Sequence, residues 1–294
     1  KIAWQKIGIA KKGMHIFTPE SQESVVLDVI KEQCDIVGAI LHIIPVDLKL
    51  VSNILKKPSE ESPCFDVQVQ NACLARSVVE HLQLDPSDMQ AAYWPCRMEG
   101  FRVNRPSSTL SNEISDKNNL RKTQNAATVV LDGAHNGDSV TMFLSGLRMA
   151  YPNIHIRVLF GAGIEKSLND MLEAVEKHAD SVVLVQSRHF KSASEGELHE
   201  AAASSGYNLR YIPHQNPSND REVNGTVARR LKDAILNDGE GAAPLSNNDP
   251  TTGPGPVIAV CGSLFAAAEA REALFALEPE LFNDNDWVRF MDRL

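Results

Sequence analysis

The stretch Val130-Leu-Asp132-Gly-Ala-His135-Asn136-Gly-Asp138 decides the fold. Before it, residues 127–131 form a short β-branched and apolar run, which reads as a buried strand. After it, residues 138–150 carry apolar side chains at helical spacing. The same alternation continues downstream. Strands are expected over 154–160, 182–186, 209–212 and 257–260, and helices over 168–178, 195–204, 226–236 and 265–277. Repeated strand–helix units predict an α/β fold: a doubly wound, mostly parallel, Rossmann-like sheet with its ligand edge at the carboxyl ends of the strands.

Upstream the texture differs. Residues 1–12 read as a helix end running into a turn, and 14–17 as a short strand. Thr18-Pro19-Glu20 predicts a helix start, with Val25, Val26, Val29 and Ile30 on its apolar face. The run 36–46 reads as a buried strand, 56–64 as a loop and 67–84 as a helix. The segment 104–126 is polar without an apolar period and is expected to be an insertion loop. Residues 237–256, rich in Gly, Pro, Asn and Asp, are expected to be a flexible surface loop. The expected division is 1–93 as one domain and 94–294 as the other.

Composition narrows the function. A hydrophobic fraction of 43% is enough for a real core. A net charge of −9 argues against a nucleic-acid or membrane-surface role, since either needs a basic face. The five cysteines are scattered and odd in number without a CxxC pair, which disfavours a zinc site and suggests a reducing compartment. The longest apolar run is far shorter than the ~20 residues that span a bilayer. The expected protein is a cytoplasmic monomer, with a mitochondrial location left open. The chain starts at Lys1 inside a helix-like segment, so a fragment is expected, with any targeting peptide upstream.

Five constellations carry chemistry, each with an ordinary structural reading beside it. In Asp132-Gly-Ala-His135-Asn136, a carboxylate, an imidazole and an amide stand at a strand–helix junction; alternatively, Asn136 or Asp138 simply caps the helix and Asp132 shapes a turn. In Cys261-Gly262-Ser263-Leu264, Ser263 offers a donor for a carboxylate or is itself a cap. The G-x-S-x-G of a hydrolase elbow is missing, which excludes a serine hydrolase. Gly161-Ala-Gly163 suggests a dinucleotide fingerprint, but its third position is Lys166, which disfavours a nicotinamide dehydrogenase. Pro95-Cys96-Arg97-Met98-Glu99 presents a guanidinium suited to phosphate, or simply a surface arginine in a linker. Ala3-Trp-Gln-Lys6-Ile-Gly8-Ile-Ala-Lys11-Lys-Gly13 places lysines beside apolar residues, where burial would favour the neutral, carbamate-forming amine; the ordinary reading of Lys11 and Lys12 is a solvated helix end.

Taken in chain order, four of these blocks together with Asn71-Ala72 resemble the folylpolyglutamate synthase and dihydrofolate synthase family of the Mur ligase group. That family carries I-A-x-E-K-A-G-I-x-K-x-G, N-A-x-x-A, P-G-R-x-E, D-G-A-H-N and G-S-L segments; here they match Ile2 to Gly13, Asn71-Ala72, Pro95 to Glu99, Asp132 to Asn136 and Gly262 to Leu264. The resemblance implies a Mur ligase C-terminal domain over 94–294, preceded by the trailing part of a central ATPase domain whose incomplete sheet would expose an edge and an apolar face. It implies Lys6 as the carbamylated lysine that supports magnesium, and Asn71, Arg97 and Asp132 as ATP contacts. His135 and Ser263 would serve the incoming glutamate, with Lys6 and His135 the catalytic residues. The implied cofactors are ATP and Mg2+. The implied reaction joins L-glutamate to dihydropteroate or a folate through an acyl phosphate. Asn136 after His135 leans toward a dihydrofolate synthase or bifunctional enzyme, without settling the choice.

The sequence also departs from the family pattern. Gln5 stands for Glu, Ile7 for Ala, Cys96 for the Gly of P-G-R and Gly137 for a frequent Pro. No G-x-x-G-K-[ST] phosphate loop occurs in the chain, since no lysine in it follows a glycine, so nothing in it is expected to cradle the β- and γ-phosphates. The chain by itself is therefore expected to be inactive. The alternative is a non-catalytic, ligase-derived protein that binds nucleotide or a partner.

Overall fold

The structure is a computed structural model that describes residues 2–52, 66–89, 94–104, 126–164, 167–207, 209, 226–236 and 255–282. The chain divides into two compact units, one within residues 1–93 and the other made mainly of residues 94–294.

In the first unit, α1 (Ile2–Ile7) is followed by β1 (His15–Pro19), α2 (Ser24–Val37), β2 (Ile40–Ile44), α3 (Leu48–Val51) and α4 (Asp66–His81). β1 and β2 pair in parallel, with His15 opposite Ile40 and Phe17 opposite His42. Pro19 closes β1 rather than opening a helix; α2 begins five residues later, at Ser24. Proline at a strand end removes no ladder bond that the chain needs there. The apolar run 36–46 also splits. Ile36 and Val37 finish α2, Gly38 turns the chain with φ 74°, and only 40–44 is strand. β2 is half-exposed rather than buried, with Ile40 47% and Ile43 42% accessible. Small clusters hold the unit together: Ile7, Ala10 and Cys34 under Ile16, Val29 and Leu41, and Val51, Val69, Ala72 and Cys73 under Ile44 and Val46.

The second unit is the larger core. Its strands are β3 (Glu99–Asn104), β4 (Ala126–Leu131), β5 (Ile156–Phe160), β6 (Ser181–Leu184) and β7 (Val257–Cys261). They form one sheet in the order β3-β4-β7-β5-β6. β4, β7, β5 and β6 run parallel, and β3 adds an antiparallel edge. The helices are α5 (Gly137–Ala150), α6 (Leu168–His178), α7 (Glu195–Ser204), α8 (Val227–Leu236) and α9 (Leu264–Leu277). Val129, Leu131, Leu159, Ile258 and Val260 pack with α8 and α9 side chains such as Leu231, Ala267 and Leu274. Alternation sends Val130, Val158 and Ala259 to the opposite face. Helices on both faces explain why every residue of β4, β5, β6 and β7 is buried.

The helix starts follow local chemistry. Asn136 caps α5 through a capping box with Ser139, and Ser194 caps α7 through one with Glu197. β3 is an element that its sequence does not announce, because Phe101 and Val103 alternate with Gly100 and Arg102 over too short a span. The expected strand 209–212 and the loops 56–64, 104–126 and 237–256 lie wholly or largely outside the described residues. Among the described residues, no helix is long and apolar enough to cross a membrane.

Candidate active site

Parallel strands end together, so the turns after β4, β5, β6 and β7 gather at one edge of the second unit. They enclose a crevice of about 240 Å³ lined by His135, Gly163, Ser187, His189, Lys191 and Ser263, among others. This is where the chain order of the sheet reverses direction, the usual ligand position in an open α/β sheet.

Backbone contacts knit the edge. Gly262 N–H donates to the Ala134 carbonyl at 2.8 Å, and Gly161 N–H to Cys261 O at 3.1 Å. Gly262 adopts φ +96°, and a Cβ there would meet Gly161 O at 2.6 Å and the Phe160 ring at 2.8 Å. A Cβ on Gly161 would meet Val185 O at 2.8 Å. The glycines of the Gly161-Ala-Gly163 turn therefore serve strand-end packing at least at Gly161.

Asp132 leaves β4 with both carboxylate oxygens engaged: Oδ2 accepts from Met98 N–H at 2.9 Å and Oδ1 from Ala134 N–H at 2.7 Å. Burial raises its pKa above the ordinary carboxylate range, opposed by those two N–H groups and by the charges of Arg97 and His135. Arg97 lies beside it in an exposed turn. Cys96 and Met98, on either side of Arg97, have φ 56° and 50°. This is the region glycine occupies without cost, so the side chains at 96 and 98 hold a strained turn. Cys96 N–H donates to Glu99 Oε2 at 2.9 Å, and Cys96 O accepts from Gly133 N–H at 2.8 Å. Glu99 in turn takes Arg271 Nε at 3.0 and 3.1 Å. A buried ion pair thus braces the Arg97 turn against the Asp132 turn.

His135 Nδ1 lies 2.9 Å from Gly133 O. A carbonyl only accepts, so Nδ1 carries the proton and the neutral ring offers Nε2 as an acceptor. Ser263 caps α9 by accepting from Phe265 N–H at 3.2 Å, which leaves its hydroxyl hydrogen for a ligand.

The structure brings Arg97, Asp132 and His135 to one edge, and His135 and Ser263 into one crevice. Lys6 and Asn71 belong to the first unit, where Lys6 is exposed on α1 and Asn71 exposed on α4. Ser187, His189 and Lys191 were not singled out by sequence. The signal was present, since Gln186 to Ser192 is a polar, cation-bearing turn after a buried strand. His189 stacks on Phe265 with centroids 3.6 Å apart and planes 8° off parallel, which fixes its ring over the crevice.

Three comparisons bear on this geometry. A family model described as "Mur ligase, glutamate ligase domain" matches residues 119–236. The chain is 23% identical over 206 residues to dihydrofolate synthetase of Saccharomyces cerevisiae, covering 63% of this chain and 44% of that protein. Folylpolyglutamate synthase of Mycobacterium tuberculosis complexed with ADP superposes with a TM-score of 0.61 at 18% identity, over 92% of this chain and 58% of that one. A bifunctional folylpolyglutamate synthase/dihydrofolate synthase with Mn, AMPPNP and L-glutamate bound gives 0.56 at 19% identity, over 93% and 56%. The chain thus spans less than half the length of the curated relative it matches. A doubly wound sheet with a crevice at its carboxyl edge is the architecture of a Mur ligase C-terminal domain. Residues 119–236 match the Mur ligase glutamate ligase domain, and the chain is similar in fold to folylpolyglutamate synthases.

Proposed function

We propose that this chain is part of an ATP-dependent ligase that joins L-glutamate to dihydropteroate or a folate, and that its second unit receives the glutamate. The observation that carries the reading is the crevice at the sheet edge, where Lys191, two imidazoles and the Ser187 and Ser263 hydroxyls converge. A dicarboxylate amino acid needs cationic and donor groups for its carboxylates and an acceptor near its amine. In this reading Ser263, His189 and Lys191 hold the carboxylates. His135 Nε2 accepts a proton from the ammonium group, leaving the amine lone pair free to attack an acyl phosphate. Asp132 and the Arg97 guanidinium suit a nucleotide's hydroxyls and phosphate, and Asn71 on the first unit would add an amide contact. ATP would supply the phosphoryl group that activates the acceptor's carboxylate.

Magnesium is the expected companion of ATP, with Lys6, as its carbamate, a proposed supporting group. A hard cation takes several oxygen ligands. Among the described residues the one cluster spaced to hold an ion is made of imidazole nitrogens. The described residues do not assemble an oxygen cage for Mg2+. The chain also lacks a phosphate loop in its sequence, so we propose that it does not complete the reaction alone. The same lack favours, as second reading, a non-catalytic ligase-derived protein that binds nucleotide or a partner.

The test is binding of L-glutamate and of ATP to the chain, by calorimetry and amide chemical shifts with magnesium present. Glutamate shifts should map to the turns after β4, β6 and β7 and vanish in Ser263→Ala and Lys191→Ala, and ATP should bind no tighter than about millimolar. Shifts that map elsewhere overturn the glutamate assignment, and micromolar ATP binding overturns the account of the missing phosphate site.

A further inference from the structure

The first unit holds a cluster that the ligase reading does not use. The register of β1 and β2 sets Phe17 opposite His42, and the two-residue period of a strand puts His15 on the same face as Phe17. α4 packs against β1 and ends at His81. Residues 27 and 66 positions apart from His15 thus return to it. His15 Nδ1 stands 2.8 Å from His42 Nε2. The ring of His81 lies 4.1 Å, centroid to centroid, from that of His15 and 5.3 Å from that of His42. Phe17 stacks under His42 at 4.6 Å, 11° off parallel, and fixes the plane of that imidazole.

We propose that His15, His42 and His81 form a site for one divalent late-transition ion of the zinc class. One ring nitrogen from each residue lies within 4.8 Å of the other two. A tetrahedral zinc with Zn–N bonds of about 2.0–2.1 Å spaces its nitrogens about 3.3 Å apart. The 2.8 Å pair must open by about half an ångström and the wider spacings must close, changes on the scale of small side-chain rotations. Imidazole is a borderline-soft donor that suits zinc, copper, nickel and cobalt, whereas magnesium and calcium take oxygens. Three protein ligands leave a fourth position for water or a small anion, the arrangement of open rather than closed zinc sites. The C-terminal end of α4 carries the negative pole of the helix dipole, which favours a cation beside His81. Two of the rings are exposed and one is half-buried, so an ion reaches the site without opening the core.

The site does not depend on the ligase reading, and its test does not measure ligation. The full chain, freed of any affinity tag, is titrated with Co2+ and then with Zn2+. One Co2+ per chain with the intense visible bands of four-coordinate cobalt, displaced by Zn2+ binding at about 1 μM or tighter, is the expected result. His81→Gln, at an exposed helix end where folding is not at risk, should weaken binding at least ~100-fold, the upper end of what losing even an outer-shell partner costs. His15→Gln should do the same, while His199→Gln, on α7, should change nothing. Circular dichroism confirms that each variant is folded. Zinc binding no tighter than millimolar, or tight binding undiminished by His15→Gln and His81→Gln, overturns the proposal.

Discussion

Replacing Glu99 by Gln tests how the second unit holds its site. Arg271 is fully buried and Glu99 is 8% exposed, and Arg271 Nε lies 3.0 and 3.1 Å from the two carboxylate oxygens. The guanidinium also lies 4.8 Å from the Phe282 ring centroid. Glutamine keeps the shape and removes the charge that faces Arg271. Removing one partner of a buried pair costs roughly 3–5 kcal/mol. For a domain of this size, about 2–4 °C per kcal/mol converts that to a fall of roughly 6–20 °C in Tm. Because the chain has two units, global unfolding need not be two-state. Hydrogen exchange at the β4 and β7 amides is therefore the better assay, since it reports the opening of this sheet. Replacing both residues, Glu99→Gln with Arg271→Met, should recover stability to within about 1–2 kcal/mol of the native chain, because a buried pair as a whole is nearly neutral. The brace to Cys96 adds a second signature: Glu99→Gln should weaken any nucleotide contact made through Arg97. A single-variant loss below about 1 kcal/mol would refute the view that this pair is the brace.

Other outcomes follow from single residues. Gly262→Ala should cost about 2–4 kcal/mol, from the left-handed backbone and the overlap with Gly161 O, and a denaturation midpoint unchanged from the native chain would contradict the geometry. The Cys96 thiol is pushed up to about 12 by burial first and by the Glu99 charge second, and burial also raises Cys261. Both should resist iodoacetamide in the native chain at neutral pH and react once it is unfolded, as peptide mass spectrometry would show. Asp132 holds its proton more tightly folded than unfolded, so its contribution to stability is full below the ordinary aspartate value of about 3.9 and is lost as pH rises through the folded value. The stability difference between the native chain and Asp132→Asn should therefore change with pH above about 4; a flat difference would sink the assignment.

The local half of this fold was open to reading. α7 and α9 begin where Ser194 and Ser263 can cap them, and the apolar runs of β4, β5 and β7 have the continuous burial that two helical layers demand. The errors fall where local signals compete. Proline at a first helical position and proline at a strand end look alike in sequence, and Pro19 took the second role. The apolar run 36–46 served one helix end, one turn and one exposed strand, because a period cannot be assigned to so short a run without knowing its neighbours. Asn136 and Ser263 proved to be helix caps, as their ordinary reading held, and both follow strands at the carboxyl edge of the sheet.

What the sequence by itself determined is the order of strands and helices, the strand–helix turns that meet at the carboxyl edge and the family the blocks resemble. These rest on spacings of a few residues, which propensity, capping and periodicity control. Only the tertiary structure decided that the antiparallel β3 closes one side of the sheet, that His189 and Lys191 join His135 and Ser263 around one crevice, and that Arg271 meets Glu99 across 172 positions of chain. It alone gathered His15, His42 and His81. Contacts between residues so far apart depend on strand order and register, and those are set by how whole layers bury their apolar faces, not by any pattern local enough to read along the chain.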